Sequence, residues 1–156
     1  PSNPDPTDAR PPSPPVAAGD PDSYFNRMRR GEVAPPPVFR LLGGRFIEVD
    51  AAAGRLRTEF VATGDFLNPA GTVQGGMLGA MLDDLAATVV DATLRADERV
   101  ATLNLNLSFL RPARPGPLQG EATLVRRGRD VCHVQATLTQ DGKDVASATA
   151  TCLIAR

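Results

Sequence analysis

The stretch Gly75-Gly-Met-Leu-Gly-Ala-Met-Leu-Asp83-Asp-Leu-Ala-Ala-Thr-Val-Val-Asp91-Ala-Thr-Leu94 decides the fold. Its spacing predicts one helix from about Gly75 to Leu94. Met77, Leu78, Ala80, Met81, Leu82, Leu85, Ala86, Val89, Val90 and Leu94 leave almost no side of that helix free of apolar groups. A helix that is apolar nearly all round must be wrapped by other structure. Asp83, Asp84 and Asp91 rule out a bilayer span, and no apolar run approaches the roughly 20 residues that a span requires.

What wraps the helix lies on both sides of it in the chain. Downstream, Thr102-Leu-Asn-Leu-Asn-Leu-Ser-Phe109 alternates, with Leu103, Leu105, Leu107 and Phe109 on one face and Thr102, Asn104, Asn106 and Ser108 on the other. After a proline-rich loop from Arg111 to Pro117, three more strands are expected over 118–126, 131–139 and 145–154. Arg127-Gly-Arg-Asp130 and Asp141-Gly142 supply the turns between them. Upstream, strands over 45–50 and 55–62 flank the hairpin loop Ala51-Ala-Ala-Gly54. A short helix is expected over Asp22 to Glu32, followed by an extended link at Pro35-Pro-Pro37, and residues 63–74 read as a loop. Residues 1–21 hold eight prolines and little to bury, so they are expected to be a disordered tail before a single domain over 22–156. The sum is an α+β chain in which one curved antiparallel sheet wraps a long central helix.

Composition narrows the function. The net charge of -1 argues against nucleic-acid binding, which needs a surplus of Lys and Arg on one face. With no Trp and one Tyr, a base-stacking platform is also excluded. Cys132 and Cys152 fall inside strands and are expected to be buried, reduced thiols, with a single bridge between them as the alternative. One His and two strand cysteines make a metal cluster hard to build, so no metal is expected. His133 reads as structural or surface, because no Gly-x-Ser-x-Gly elbow exists for it to serve. No charged start followed by an apolar core is seen, and a cytoplasmic location is the expectation.

The acids on the helix are the first candidates for chemistry. Gly76, Ala80, Asp83 and Ala87 form one stripe of small residues around a carboxylate. A buried carboxylate is costly unless it is paired, hydrogen-bonded or functional. The competing reading puts Asp83 at the edge of a solvated stripe formed by Asp84, Thr88 and Asp91, with Asp84 a solvated or interface acid. At the helix start, Gly75 and Gly76 would expose backbone N–H groups at the positive end of the dipole, able to hold a polarised carbonyl oxygen. A plain glycine-rich turn would have the same residues.

The run Asn68-Pro-Ala-Gly71-Thr-Val-Gln74-Gly75-Gly76, followed by Met77 to Asp83, resembles the signature of hot-dog-fold acyl-CoA thioesterases of the phenylacetate-pathway (PaaI-like) type. That signature is an Asn, a Gly three residues on, His-Gly-Gly, and an acid nine residues after the His. Asn106-Leu-Ser-Phe-Leu-Arg-Pro-Ala113 and Arg127-Gly-Arg129 resemble the family's third strand and following hairpin, so the likeness runs over about residues 38–155. The departure is Gln74 in place of His, an amide that donates but does not titrate near neutral pH.

The resemblance implies a hot-dog fold and hydrolysis of acyl-CoA without a cofactor beyond the CoA of the substrate. It implies that Gly75 N–H, with Asn68, Gln74 and Gly76 around it, polarises the thioester carbonyl. It implies that Asp83 activates water or attacks to form an anhydride, that Thr102 helps position the water, and that Gly128, Arg129 and Arg127 meet the CoA arm. It also implies a homodimer or a dimer of dimers, that is, a homotetramer. Met77, Met81, Leu82 and Phe66 are candidates to line an acyl tunnel. Gln74 keeps open a non-catalytic acyl-CoA binder or sensor, and the same fold also hosts hydration and dehydration of acyl thioesters, which generally use a His with an Asp.

Overall fold

The computed structural model describes residues 19–156, so residues 1–18 of the expected tail lie outside the described residues. The elements run α1 (Tyr24–Arg29), α2 (Pro37–Leu41), β1 (Arg45–Asp50), β2 (Arg55–Ala62), a 3-10 turn (Gly64–Phe66), α3 (Gly75–Asp91), β3 (Arg99–Phe109), β4 (Gly116–Arg127), β5 (Val131–Gln140) and β6 (Lys143–Ala155). The six strands form one sheet in the order β1-β2-β4-β5-β6-β3, with every neighbouring pair antiparallel. α3 packs against β2, β3, β4, β5 and β6. Leu82, Leu85 and Val90 on the helix and Phe60, Leu118 and Leu138 on the sheet are fully buried between the two layers. Each such side chain contributes about 2 kcal/mol of transfer free energy.

Several elements differ from expectation for local reasons. α3 stops at Asp91 rather than Leu94, because the Thr93 hydroxyl donates to the Val90 carbonyl at 2.7 Å and competes with the helical pattern. Pro35-Pro-Pro37 does not remain an extended link: Pro37 occupies the first turn of α2, where a missing N–H is harmless. α1 begins at its Ser23 cap and is shorter than the stretch 22–32, and Gly31 follows it at φ +76°. The end of the expected tail is ordered. Asp20 donates its N–H to the Leu94 carbonyl at 3.2 Å and accepts from Ala96 N–H at 3.2 Å.

The largest correction concerns β3. Its flawless alternation on paper crosses a bulge between Thr102 and Asn104. Thr102 pairs with buried Cys152 and so lies on the helix side with Leu105 and Leu107, while Leu103 is 59% exposed. A second bulge, between Leu124 and Arg126, puts Arg127 opposite buried Cys132. Thr102, Cys152, Cys132 and Arg127 thus form a row across β3, β6, β5 and β4. Both cysteines are free and buried. His133 is exposed, on the outer face of the sheet, 3.5 Å from the Thr151 hydroxyl.

A buried carboxylate ties this end of the sheet together. Glu98 is 4% exposed and accepts from Arg95 N–H at 3.0 Å. The guanidiniums of Arg156, Arg95 and Arg127 surround it at 3.2, 3.5 and 3.6 Å. The link after α3, the end of β4 and the end of β6 therefore share one anion. Removing one partner of a fully buried ion pair costs 3–5 kcal/mol, and the partly exposed arginines here reduce that. Glu98→Ala is expected to lower stability by about 2 kcal/mol, read as a lower denaturation midpoint in urea.

Candidate active site

The loop before α3 is built from its own sequence. Asn68-Pro-Ala-Gly71 is a turn with Pro second and Gly fourth, closed by Gly71 N–H donating to the Asn68 carbonyl at 2.9 Å. Gly71 has φ +75°, which only glycine adopts without strain. Asn68 Oδ1 accepts from the N–H groups of Ala70 and Thr72 at 3.0 and 3.2 Å, and its Nδ2 donates to Thr72 Oγ1 at 2.9 Å. The Asn68 side chain is thus engaged in holding the loop, with one amide hydrogen left. Val73 N–H then donates to the Ala113 carbonyl at 2.9 Å and Gln74 N–H to the Phe66 carbonyl at 2.8 Å, fixing the point where α3 starts.

At that start, Met77 and Leu78 N–H turn back to the Gln74 carbonyl at 2.9 and 3.3 Å. The N–H groups of Gly75 and Gly76 have no acceptor among the described residues. Gln74 is exposed and its side chain does not cap the helix. A side chain at Gly75 would meet the Phe109 ring at 3.1 Å, whereas one at Gly76 would meet nothing within 4 Å. Nothing within this chain therefore demands glycine at 76. Gly75 and Phe109 form one wall of an open cleft of about 370 Å³, with Asn68, Leu78, Arg111 and Ala113 also lining it.

Farther along α3, Asp83 and Asp84 are both half-buried. Asp83 Oδ1 and Asp84 Oδ2 are each shielded from solvent and without a hydrogen-bond partner. Of the two expectations for Asp84, solvated or interface acid, the first does not hold for that oxygen. Burial, reinforced by the Asp83 carboxylate, pushes Asp84 up to about 7. Burial likewise pushes Asp91 up to about 6 against the opposing charge of Arg99. The bulge turns Thr102 to the face of the sheet that packs on α3, beside Cys152. Burial pushes the Cys152 thiol up, a hydrogen bond with the Thr102 side chain opposes this, and the nearby charges of Cys132 and Asp83 add to it.

The β4–β5 turn divides its three candidates. Arg127 Nε donates to Thr93 Oγ1 at 3.0 Å and its guanidinium faces Glu98, so it serves the fold. Gly128 is required by close approach, since a side chain there would lie 2.6 Å from the Val131 carbonyl oxygen. The Arg129 side chain is 88% exposed, with Asp130 at 3.9 Å, and its carbonyl accepts from Arg156 at 3.1 Å. Phe109, Arg111 and Glu98 were not singled out from the sequence. Phe109 lay within a recognised alternation, but the register that sets it over Gly75 is a tertiary fact. Among the described residues no group of three His, Cys, Asp or Glu side chains could hold a metal, and no helix is long and apolar enough to cross a membrane.

Residues 63–153, which span this loop, α3 and the strands that follow, match the family model of the acyl-CoA thioesterase N-terminal domain. The chain belongs to the PaaI-like hot-dog acyl-CoA thioesterases. As a thioesterase it is 60% identical to a phenylacetic acid degradation-related protein from Ralstonia eutropha JMP134, with a TM-score of 0.82, over 83% of this chain and 98% of that one. Two structures share the thioesterase fold at lower identity. A thioesterase family protein from Silicibacter pomeroyi is 23% identical with a TM-score of 0.73, covering 83% of this chain and 97% of that one. The PaaI protein of the E. coli phenylacetic acid degradation operon is 19% identical with a TM-score of 0.74, covering 85% and 94%. No curated protein matches the sequence.

Proposed function

We propose that the thioesterase hydrolyses acyl-CoA with Asp83 as general base and Gly75 N–H as oxyanion donor, the two supplied by different copies of the chain. The observation that carries this is a separation. Gly75 and Asp83 are eight residues apart on one helix, about 12 Å along its axis. A single thioester carbonyl cannot touch both within one copy. A second copy packed beside α3 can bring its own Asp83 to the first copy's Gly75, which supports a homodimer as the smallest active unit, with a homotetramer as a dimer of such dimers.

In this reading water attacks the carbonyl carbon and Asp83 takes its proton. The oxygen that gains negative charge is held by Gly75 N–H, with Gly76 N–H and the remaining hydrogens of the Asn68 and Gln74 amides close to it. Collapse of the tetrahedral intermediate breaks the C–S bond and releases CoA thiolate, which takes up a proton, and the free acid. Thr102 orients the water. Arg129, exposed on its turn beside Gly128, meets CoA phosphate, while Arg127 supports that turn from behind. Apart from the CoA of the substrate, no cofactor is needed. A cytoplasmic location suits a substrate of this kind.

The test is release of free thiol from a panel of aliphatic and aryl acyl-CoAs by the purified chain. Gln74 favours one competing reading, a binder without turnover. Tight binding of the panel with no thiol released would establish that reading and remove this one.

A further inference from the structure

The outer face of the sheet, turned away from α3, divides into two halves. Over β1, β2 and β4 it is charged, with Arg57 between Glu48 and Glu121 at 3.6 and 3.2 Å. Over β3, β5 and β6 it is not. From Ala101 to Ser108, Val131 to Thr137 and Ser147 to Leu153, the outward residues are small, amide or aliphatic. His133 is the one titratable side chain among these described residues. Two bulges add apolar groups at this half, Leu103 at 59% exposed and Val125 at 52%. Solvated surfaces carry about a quarter or more charged residues. Their depletion over one contiguous patch marks the centre of an interface.

The occupant that fits is a second copy of the same patch. An uncharged face has no sign for a charged partner to match, but it meets itself without repulsion, as a two-fold contact requires. Three strands about 4.8 Å apart and about 24 Å long present roughly 350 Å². The patch ends at the sheet edge β3, whose Phe109 stands against Gly75, the residue that the second copy's Asp83 must reach. A homodimer joined there carries two such patches. Two dimers meeting face to face cover about 1,400 Å² in total, the size of a specific interface.

His133 makes that contact sensitive to acid. Its Nδ1 is 3.5 Å from Thr151 Oγ1, and Val131 and Gln135 are its outward neighbours along β5. Its row across the sheet holds exposed Arg126 on β4 and, beyond Thr151, Asn104 on β3. The carboxylates at the two ends of this stretch, Glu121 opposite Thr137 and Asp130 before Val131, are paired with Arg57 and Arg156. An imidazole gains its charge as pH falls through about 6.5. A second cation beside Arg126, shut into a contact with no free anion, costs desolvation and repulsion. We propose that the uncharged outer face of β3, β5 and β6 joins two dimers of this chain and that protonation of His133 releases them. The inference rests on the homodimer proposed above.

The experiment is sedimentation velocity of the full chain at pH 8, 7, 6 and 5.5, at one protomer concentration. Wild type is expected to be tetrameric at pH 8, with a dimer–dimer dissociation constant about tenfold higher at pH 5.5. His133→Gln is expected to stay tetrameric throughout. Thr149→Arg sets a charge on an exposed position within the face. It is expected to weaken the dimer–dimer contact about a hundredfold at every pH, with circular dichroism and thiol release per protomer unchanged. A wild type that is dimeric at pH 8 overturns the proposal and leaves the face to residues 1–18 or to a different protein. So does a Thr149→Arg chain that stays tetrameric, or a His133→Gln chain that dissociates in acid as wild type does. A wild type that is monomeric at pH 8 removes the homodimer as well, which separates failure of the underlying reading from failure of this contact.

Discussion

Asp83→Asn is expected to cut kcat about a thousandfold while leaving KM and the fold nearly unchanged, the loss typical of a removed general base. Asparagine has the shape of aspartate but cannot accept the proton of the attacking water. KM holds because the carboxylate meets the water rather than the bound thioester. The fold holds because the exchange removes a half-buried charge whose Oδ1 has no partner. Thiol release under saturating substrate gives kcat, and circular dichroism gives the fold. A variant that kept a tenth or more of the wild-type kcat would remove Asp83 from the mechanism. Single turnover of the wild type in water enriched in heavy oxygen separates the two roles of the acid: label entering the Asp83 carboxylate signals the anhydride, and label entering only the product acid signals the general base.

The second large effect is on stability, and it depends on pH. Asp84 is raised from 3.8 to about 7 in the folded chain by burial and by Asp83. For an acid with a raised folded pKa, the unfolded chain releases its proton first. The folded state therefore loses stability as pH rises from about 4 to about 7, and the loss is complete above that. A shift of this size corresponds to ~4 kcal/mol, and a half-buried site warrants about half of it. Asp84→Asn removes the penalty. It is expected to gain about 2 kcal/mol at pH 8 and close to nothing at pH 4. Urea unfolding at pH 4, 6 and 8, at one protomer concentration, measures this. An effect that was equal at all three values would mean that Asp84 titrates alike in the folded and unfolded chain, and would remove the predicted penalty.

The central helix and the meander were legible because burial writes its period into the chain. Leu78, Leu82, Leu85 and Val89 recur at helical spacing, and the alternation of β5 and β6 follows their burial. What local pattern misses is competition between local options. Pro37 both breaks an extended reading and starts a helix, and the surrounding contacts settle which. The site was legible in part. Spacing and resemblance singled out the glycines and Asp83 as candidates, but that Asn68 holds its own loop and that Arg127 is claimed by Glu98 needed the third dimension. Asp84 read as a solvated or interface acid because its stripe is polar. Its orphaned oxygen results from what packs around it.

The bulge in β3 has a consequence best put in the language of insertion and deletion. Leu103 is the surplus letter of its strand. Strike it out and Thr102, Asn104 and Leu105 alternate without a slip, each still on its present side. A one-residue deletion in a strand ordinarily turns every side chain beyond it inside out. Here one deletion within the bulge, of Leu103 or equally of Asn104, changes no facing.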